Sequence, residues 1–471
     1  MQALDHEFGL LATSVERTVA VQQEAARVLL DAAPAHGQAL ARHLVRAYEE
    51  VAAHVGRRRA GYESLPDEDS KRGAVTEMRS LLEGARDLHV SLSWLDAART
   101  PPLDLGTRYL IDFIASRLVS ARAEVTVVTA VEGSYRTAID PFSFVFSNLE
   151  EQQVDELAIV VFVPRREQHS GLLHPLIVHE LGHAASKQGG LAQSLTAKTE
   201  SDDSLRKLLD TSAHALAAEM DMRADVMTAI CKAVDVAPEP APESEAVSSV
   251  ARGYLMLQLG YWVEEALCDA FATQLLGPTY LYAFAAIVGT GDLDATDAQH
   301  PPARQRMRLM LAQLDALGWE PILAKETPEI GDWLRDKSTT SLRHQEPAHR
   351  FCLGALELLM DDVRGMVAEH VGQLAFEPAA FDAARSEEIK SLLAAGVPPA
   401  QAHEVGTAQR RKIGRAEIIL GSWLFALGEG GGGLDALARA PGLPELSRLL
   451  PKALELSALV AAWDSENDAA S

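Results

Sequence analysis

The chain has little cysteine: three residues in 471, Cys231, Cys268 and Cys352. They are odd in number and far apart, so neither a disulfide framework nor a CxxC metal site can be read from them. Basic residues are also scarce. There are 43 Lys and Arg against 67 Asp and Glu, a formal net charge of −24. A surface this acidic repels phosphate, which argues against nucleic acid and against an anionic membrane surface as partners. No apolar run approaches the ~18 residues that a membrane span needs. The longest, Tyr280 to Gly289, is about half of that. The opening MQALDHEFGL has no basic stretch followed by an apolar one, so no secretory signal is read. These absences lead to the expectation of a cytoplasmic protein with no membrane span.

What is present is ordinary globular material, 47% hydrophobic and 23% charged. The length suggests two or three domains. In the first hundred residues, Phe8, Leu11, Val15, Val19, Ala26 and Leu29 recur at mostly three- and four-residue steps. After Pro34 the pattern resumes at Leu40, Leu44, Tyr48, Val51 and Val55. This spacing predicts two amphipathic helices forming an antiparallel pair, with a third over Ala74 to Ala98 closed by Pro101 and Pro102. Leu105 to Val119 also reads as helix. Glu124 to Thr129, Phe142 to Phe146 and Leu157 to Val163 read as strands, the last apolar throughout and expected to be buried on both faces. From Leu173 the chain is helical again, interrupted by an acidic Pro/Glu/Ser-rich stretch, Val236 to Ser249, expected to be a mobile loop. A glycine run at Gly428 to Gly433 reads as a flexible joint, and the tail from Asp464 is expected to fray.

The segment that carries chemistry is His179-Glu180-Leu181-Gly182-His183. Residues four apart share a helix face, so both imidazoles can reach one Zn²⁺. Glu180, beside the first of them, can take the proton of a metal-activated water. His174-Pro175 supplies a candidate N-cap and a proline at the first helical position. A third His six residues after His183 would extend the motif, but that position is Gly189. A third ligand must come from elsewhere. Glu265 and Asp269 share one face of an apolar segment with Trp262, Val263, Leu267, Phe271 and Leu275. Carboxylates in such surroundings need a partner, and a metal would be one. Glu265 can ligate, and Asp269 can accept the far ring N–H of a ligating histidine. Glu264 on the neighbouring face, Glu219, and the pair Asp221 and Asp225 are rival acids.

HELGH, then EALCDAFA, then His300-Pro301-Pro302-Ala303-Arg304-Gln305-Arg306-Met307 resembles the gluzincin zinc metallopeptidases. It is most similar to the HtpX-type peptidases and their soluble relatives. The resemblance covers roughly residues 105–315. It implies Zn²⁺ held by His179, His183 and Glu265, with Glu180 as general base and Asp269 behind a ligand. Cys268 stands where the family usually has Ala, and the family's transmembrane helices have no counterpart here. His300 and Arg304 are the candidates for stabilising the tetrahedral oxyanion, with Tyr280 and Tyr282 as others. A strand edge beside the cleft would take substrate by β-augmentation, for which Phe142 to Phe146 is the candidate.

The resulting expectation is an α+β fold, predominantly helical, with a small sheet beside a two-helix zinc site. Its divisions are a helical segment at 1–100, a metallopeptidase domain at 101–315 and a helical segment at 316–471. The expected function is zinc-dependent hydrolysis of an intracellular protein or peptide substrate. The helical flanks would restrict access or recruit a regulatory protein partner. The alternative is a catalytically inactive zinc-binding scaffold acting through those flanks.

Overall fold

A computed structural model describes the chain except residues 1, 33–36, 99–102, 121–122, 131–134, 140–156, 223, 235–243, 290, 296, 298, 340–345, 404–409, 430–433 and 471. Pro34, Pro101 and Pro102, the Phe142 to Phe146 strand, most of the acidic stretch and most of the glycine run therefore lie outside the described residues. The fold is α+β and predominantly helical, with a small three-stranded sheet. By compactness it divides into two units, residues 1–104 with 111–169, and residues 105–110 with 170–471. That division places the sheet with the N-terminal helices. It also keeps the C-terminal helices in the unit that carries HELGH.

The first unit begins with α1 (Gln2–Ala32), α2 (Gln38–Gly61) and α3 (Glu68–Ala98). Glu16 pairs with Arg59 and Glu49 with Arg27, so α1 and α2 run antiparallel as the periodicity predicts. Asp5 pairs with Lys71 and Glu7 with Arg79, so α3 returns in the direction of α1. After α4 (Leu105–Leu118) come β1 (Ala123–Ala130), β2 (Arg136–Ile139) and β3 (Leu157–Pro164). β3 is the central strand, parallel to β1 and antiparallel to β2, which explains why it is apolar on both faces. Val128, Val160 and Phe162 join one core with Val15, Leu44 and Tyr48 of the helices.

In the second unit α5 (Pro175–Gly189), α6 (Leu191–Ser201), α7 (Asp203–Met222) and α8 (Ala224–Ala233) precede the long α9 (Ser244–Leu276). Ser244 to Ser249, expected in the mobile loop, are the first turns of α9. At about 1.5 Å per residue its 33 residues make a rod of roughly 50 Å. It is apolar almost all round towards its C-terminal end and buried to match: Leu259, Trp262, Val263, Leu267 and Phe271 are all inaccessible. α10 (Pro278–Val288) and α11 (Ala303–Ala316) follow, then α12 (Glu320–Glu326), α13 (Pro328–Thr339), α14 (Pro347–Val371) and α15 (Ala383–Ala394). A short hairpin, β4 (Gln401–His403) and β5 (Arg410–Lys412), precedes α16 (Arg415–Glu429), α17 (Leu434–Arg439) and α18 (Pro444–Ala470). The helix persists through the tail expected to fray.

The contact that positions the site is the crossing of α5 over α9. A Cβ added at Gly182 would meet Cys268 at 3.0 Å from Cα, 3.2 Å from Cβ and 3.3 Å from Sγ. A side chain here would need α9 to give way by a few tenths of an ångström. Gly182→Val is expected to force them apart and to cost about 1–3 kcal/mol, measurable by chemical denaturation.

Candidate metal centre

α5 starts with Pro175 in its first turn, where the missing N–H leaves nothing unsatisfied. His174 makes no side-chain cap; its Nδ1 pairs instead with Thr107 Oγ1 at 3.0 Å. The helix ends at Gly189, and Gly190 turns the chain with φ 60. The backbone thus leaves the helix at the very point where a third histidine would otherwise have extended the motif. Within α5 the rings of His179 and His183 stand edge to face, 5.0 Å apart, and Glu180 is buried beside them.

Opposite, α9 presents Glu265, 6% exposed, and Asp269, 3% exposed. His179 Nε2 lies 3.5 Å from Glu265 Oε2, and His183 Nε2 lies 3.4 Å from Glu265 Oε1. These separations are long for direct hydrogen bonds, which cluster at about 2.7–3.2 Å. They match two donors sharing a tetrahedral Zn²⁺, which stand about 3.3–3.4 Å apart when each lies about 2.0–2.1 Å from the ion. Glu265 Oε2 completes no hydrogen bond among the described residues, although Arg306 Nη1 is 3.0 Å away as an ion-pair partner.

The far ring nitrogens explain the orientation. His179 Nδ1 is 3.0 Å from Asp269 Oδ1, and His183 Nδ1 is 3.2 Å from Glu264 Oε1. A carboxylate on Nδ1 holds the proton there and leaves Nε2 with a lone pair. Both Nε2 atoms then face the oxygens of Glu265, a place that favours positive charge. Burial depresses the basicity of His179, but the adjoining carboxylates of Asp269 and Glu265 reverse this and hold its pKa at about 10. Burial pushes Glu265 up, while Arg306 and His179 together bring it down to about 2. Asp269 is lowered likewise, against its burial, chiefly by Arg306.

Glu264, a rival acid to Glu265, lies on the His183 ring instead. Arg306, which the sequence does not single out, is the other residue of the centre. The Arg306 guanidinium forks onto Asp269, with Nε donating at 2.8 Å and Nη2 at 2.6 Å, and stacks over Phe284. Tyr280 donates to Asp269 Oδ1 at 2.5 Å and lies 3.1 Å from His179 Nδ1, fully buried. It supports the ligand helix rather than facing a cleft. Tyr282 pairs with Thr327 at 2.7 Å, also buried. Cys268 brings a further donor: one atom each from His179, His183 and Cys268 lie within 4.8 Å of one another, a group that could hold a metal ion.

His300 is half-exposed. Its Nε2 is 3.9 Å from Glu265 Oε1 and its Nδ1 2.9 Å from Asp297 Oδ2. Arg304, the expected companion of His300 at the oxyanion, is committed to Asp294, at 2.5 Å from Nε and 3.2 Å from Nη2. Its own N–H donates to the Leu293 carbonyl at 3.0 Å, so Arg304 ties the 291–300 connection to α11. Residues 304 and 306 lie on nearly opposite faces of a helix, and only the second face meets α9. Of the rival acids, Glu219 sits half-buried on α7, and the side chains of Asp221 and Asp225 lie outside the described residues.

Comparison with family models, with curated proteins and with solved structures returns no match for this chain. The case for a function therefore rests on the geometry.

Two predictions follow from the centre. Arg306→Ala leaves two buried carboxylates uncompensated and should cost about 3–5 kcal/mol in metal-free denaturation. Glu264→Ala frees the His183 ring and should weaken metal binding ~10–100-fold by competitive titration, with partial recovery in Glu264→Gln, whose amide oxygen still accepts.

Proposed function

We propose that this chain is a zinc-dependent endopeptidase of the gluzincin type, similar to the HtpX-type peptidases and their soluble relatives, acting on an intracellular protein substrate. The observation that carries this reading is the convergence of both Nε2 atoms on the two oxygens of one buried carboxylate, with each far nitrogen held by another acid. Two imidazoles and a carboxylate are a donor set suited to zinc. They leave one coordination position for substrate chemistry.

In this reading His179, His183 and Glu265 hold the ion, and Asp269 and Glu264 fix the two rings. A bound Zn²⁺ would polarise the scissile carbonyl and lower the pKa of water near it. Glu180, next to His179 on α5, takes the proton from the attacking water and delivers it to the leaving amine. His300 is set by Asp297 to donate through Nε2 to the oxyanion as it forms. Arg306 keeps Glu265 and Asp269 ionised, and Arg304 holds the connection that carries His300. Among the described residues no helix is long and apolar enough to cross a membrane. A cytoplasmic location and a protein partner that regulates access belong to the same proposal.

The test is zinc per chain by elemental analysis together with hydrolysis of an unfolded protein such as casein. Wild type should hold about one zinc. Glu265→Gln and His179→Ala should lose it. Glu180→Gln should keep its zinc while hydrolysis falls ~10²–10⁴-fold. Unchanged hydrolysis in Glu180→Gln would sink the peptidase reading. Zinc retained by a chain with no hydrolysis would favour the non-catalytic scaffold.

A further inference from the structure

Resting on the metal-centre reading above, we propose that Cys268 Sγ is a fourth protein donor to the ion and competes with water for the last coordination position. The grouping of donor atoms carries this. The thiol belongs to the His179, His183 and Cys268 group, whose donor atoms lie within 4.8 Å of one another. Beside it, Glu265 Oε2 lies buried 3.5 Å from His179 Nε2, with Arg306 Nη1 its ion-pair partner at 3.0 Å.

The helix geometry makes this a consequence of α9 rather than an accident of one rotamer. Glu265, Cys268 and Asp269 lie at i, i+3 and i+4, one face of the rod. Gly182 sits between His179 and His183 on α5, and its absent Cβ leaves the space that Sγ borders at 3.3 Å. The sulfur thus borders the stretch of α5 that carries both histidines. It is inaccessible to solvent, as are the thiols of Cys231 and Cys352 elsewhere in the fold.

The chemistry is ligand exchange. The S–H proton passes to solvent as the sulfur–metal bond forms, and the outgoing ligand is water. No oxidant or reductant takes part. With three borderline donors the centre is open; with the sulfur added it is closed, as in metal sites that serve structure. A soft donor also widens the range of ions held, towards those that prefer thiolate.

The full-length metal-free chain is titrated with Co²⁺ alone and followed by absorption. Wild type should show visible d–d bands of a low-symmetry site and a near-ultraviolet thiolate-to-cobalt charge-transfer band. Cys268→Ala and Cys268→Ser should keep the visible bands and lose the charge-transfer band, with affinity lower by ~10-fold or more. A Cys231→Ala/Cys352→Ala double variant should keep both features. Azide should perturb the visible bands of Cys268→Ala at a lower concentration than those of wild type. Visible bands without charge transfer in wild type, or charge transfer that survives Cys268→Ala, overturn the sulfur ligand while leaving the three-donor centre standing. An equal azide midpoint overturns the competition with water. Absence of any cobalt spectrum in wild type removes the metal centre itself, and this inference with it.

Discussion

Negative charge gathered in a buried place is the constraint on which the second unit depends. Glu265, Asp269 and Glu180 are buried, and Glu264 leans in from the rim. The Arg306 guanidinium stands against two of them, Glu265 and Asp269. Charges cannot be left unbalanced in low dielectric without a large cost. His179 lies between Glu265 and Asp269 and is held protonated there, and His183 lies between Glu265 and Glu264. Arg306 and Tyr280 support the Asp269 side, and His179, His183 and Cys268 form a group that could hold a metal ion.

Much of the candidate site could be read in the chain. HELGH on an apolar segment with proline at its start announces a helix with two histidines on one face, and α5 is that helix. The apolar run around Glu265 marks a buried acid, and α9 buries it. Two residues escaped for physical reasons. Glu264 is one residue and about 100° from Glu265, which looks like the wrong face if an imidazole is treated as a point. The ring has two nitrogens pointing apart, so a histidine lodged between adjacent helix positions touches both. Arg306 escaped because the His-Pro-Pro segment has no helical phase of its own. Which of Arg304 and Arg306 meets α9 depends on where α11 begins, and that is decided by the Leu293 and Asp294 contacts.

The fold divides in the same way. Helices α1 and α2 and strands β1 and β3 follow from periodicity and β-branched runs. β2 and the β4–β5 hairpin are four and three residues long, too short for alternation to show. The grouping of the sheet with the N-terminal helices was not legible at all. It depends on which apolar faces meet, as Val128, Val160 and Phe162 do with Val15 and Tyr48. Sequence order suggests only that a strand preceding a motif belongs with it.

The 33-residue length of α9 has a mechanical consequence. Every acid of the centre except Glu180 is bolted to one stiff rod, and both histidines to a second. A small roll of α9 about its axis would shift Glu264, Glu265, Cys268 and Asp269 together and in fixed proportion. A push on the distal, N-terminal half of α9 is therefore felt by all four side chains at once, and a change among those side chains is felt along the rod.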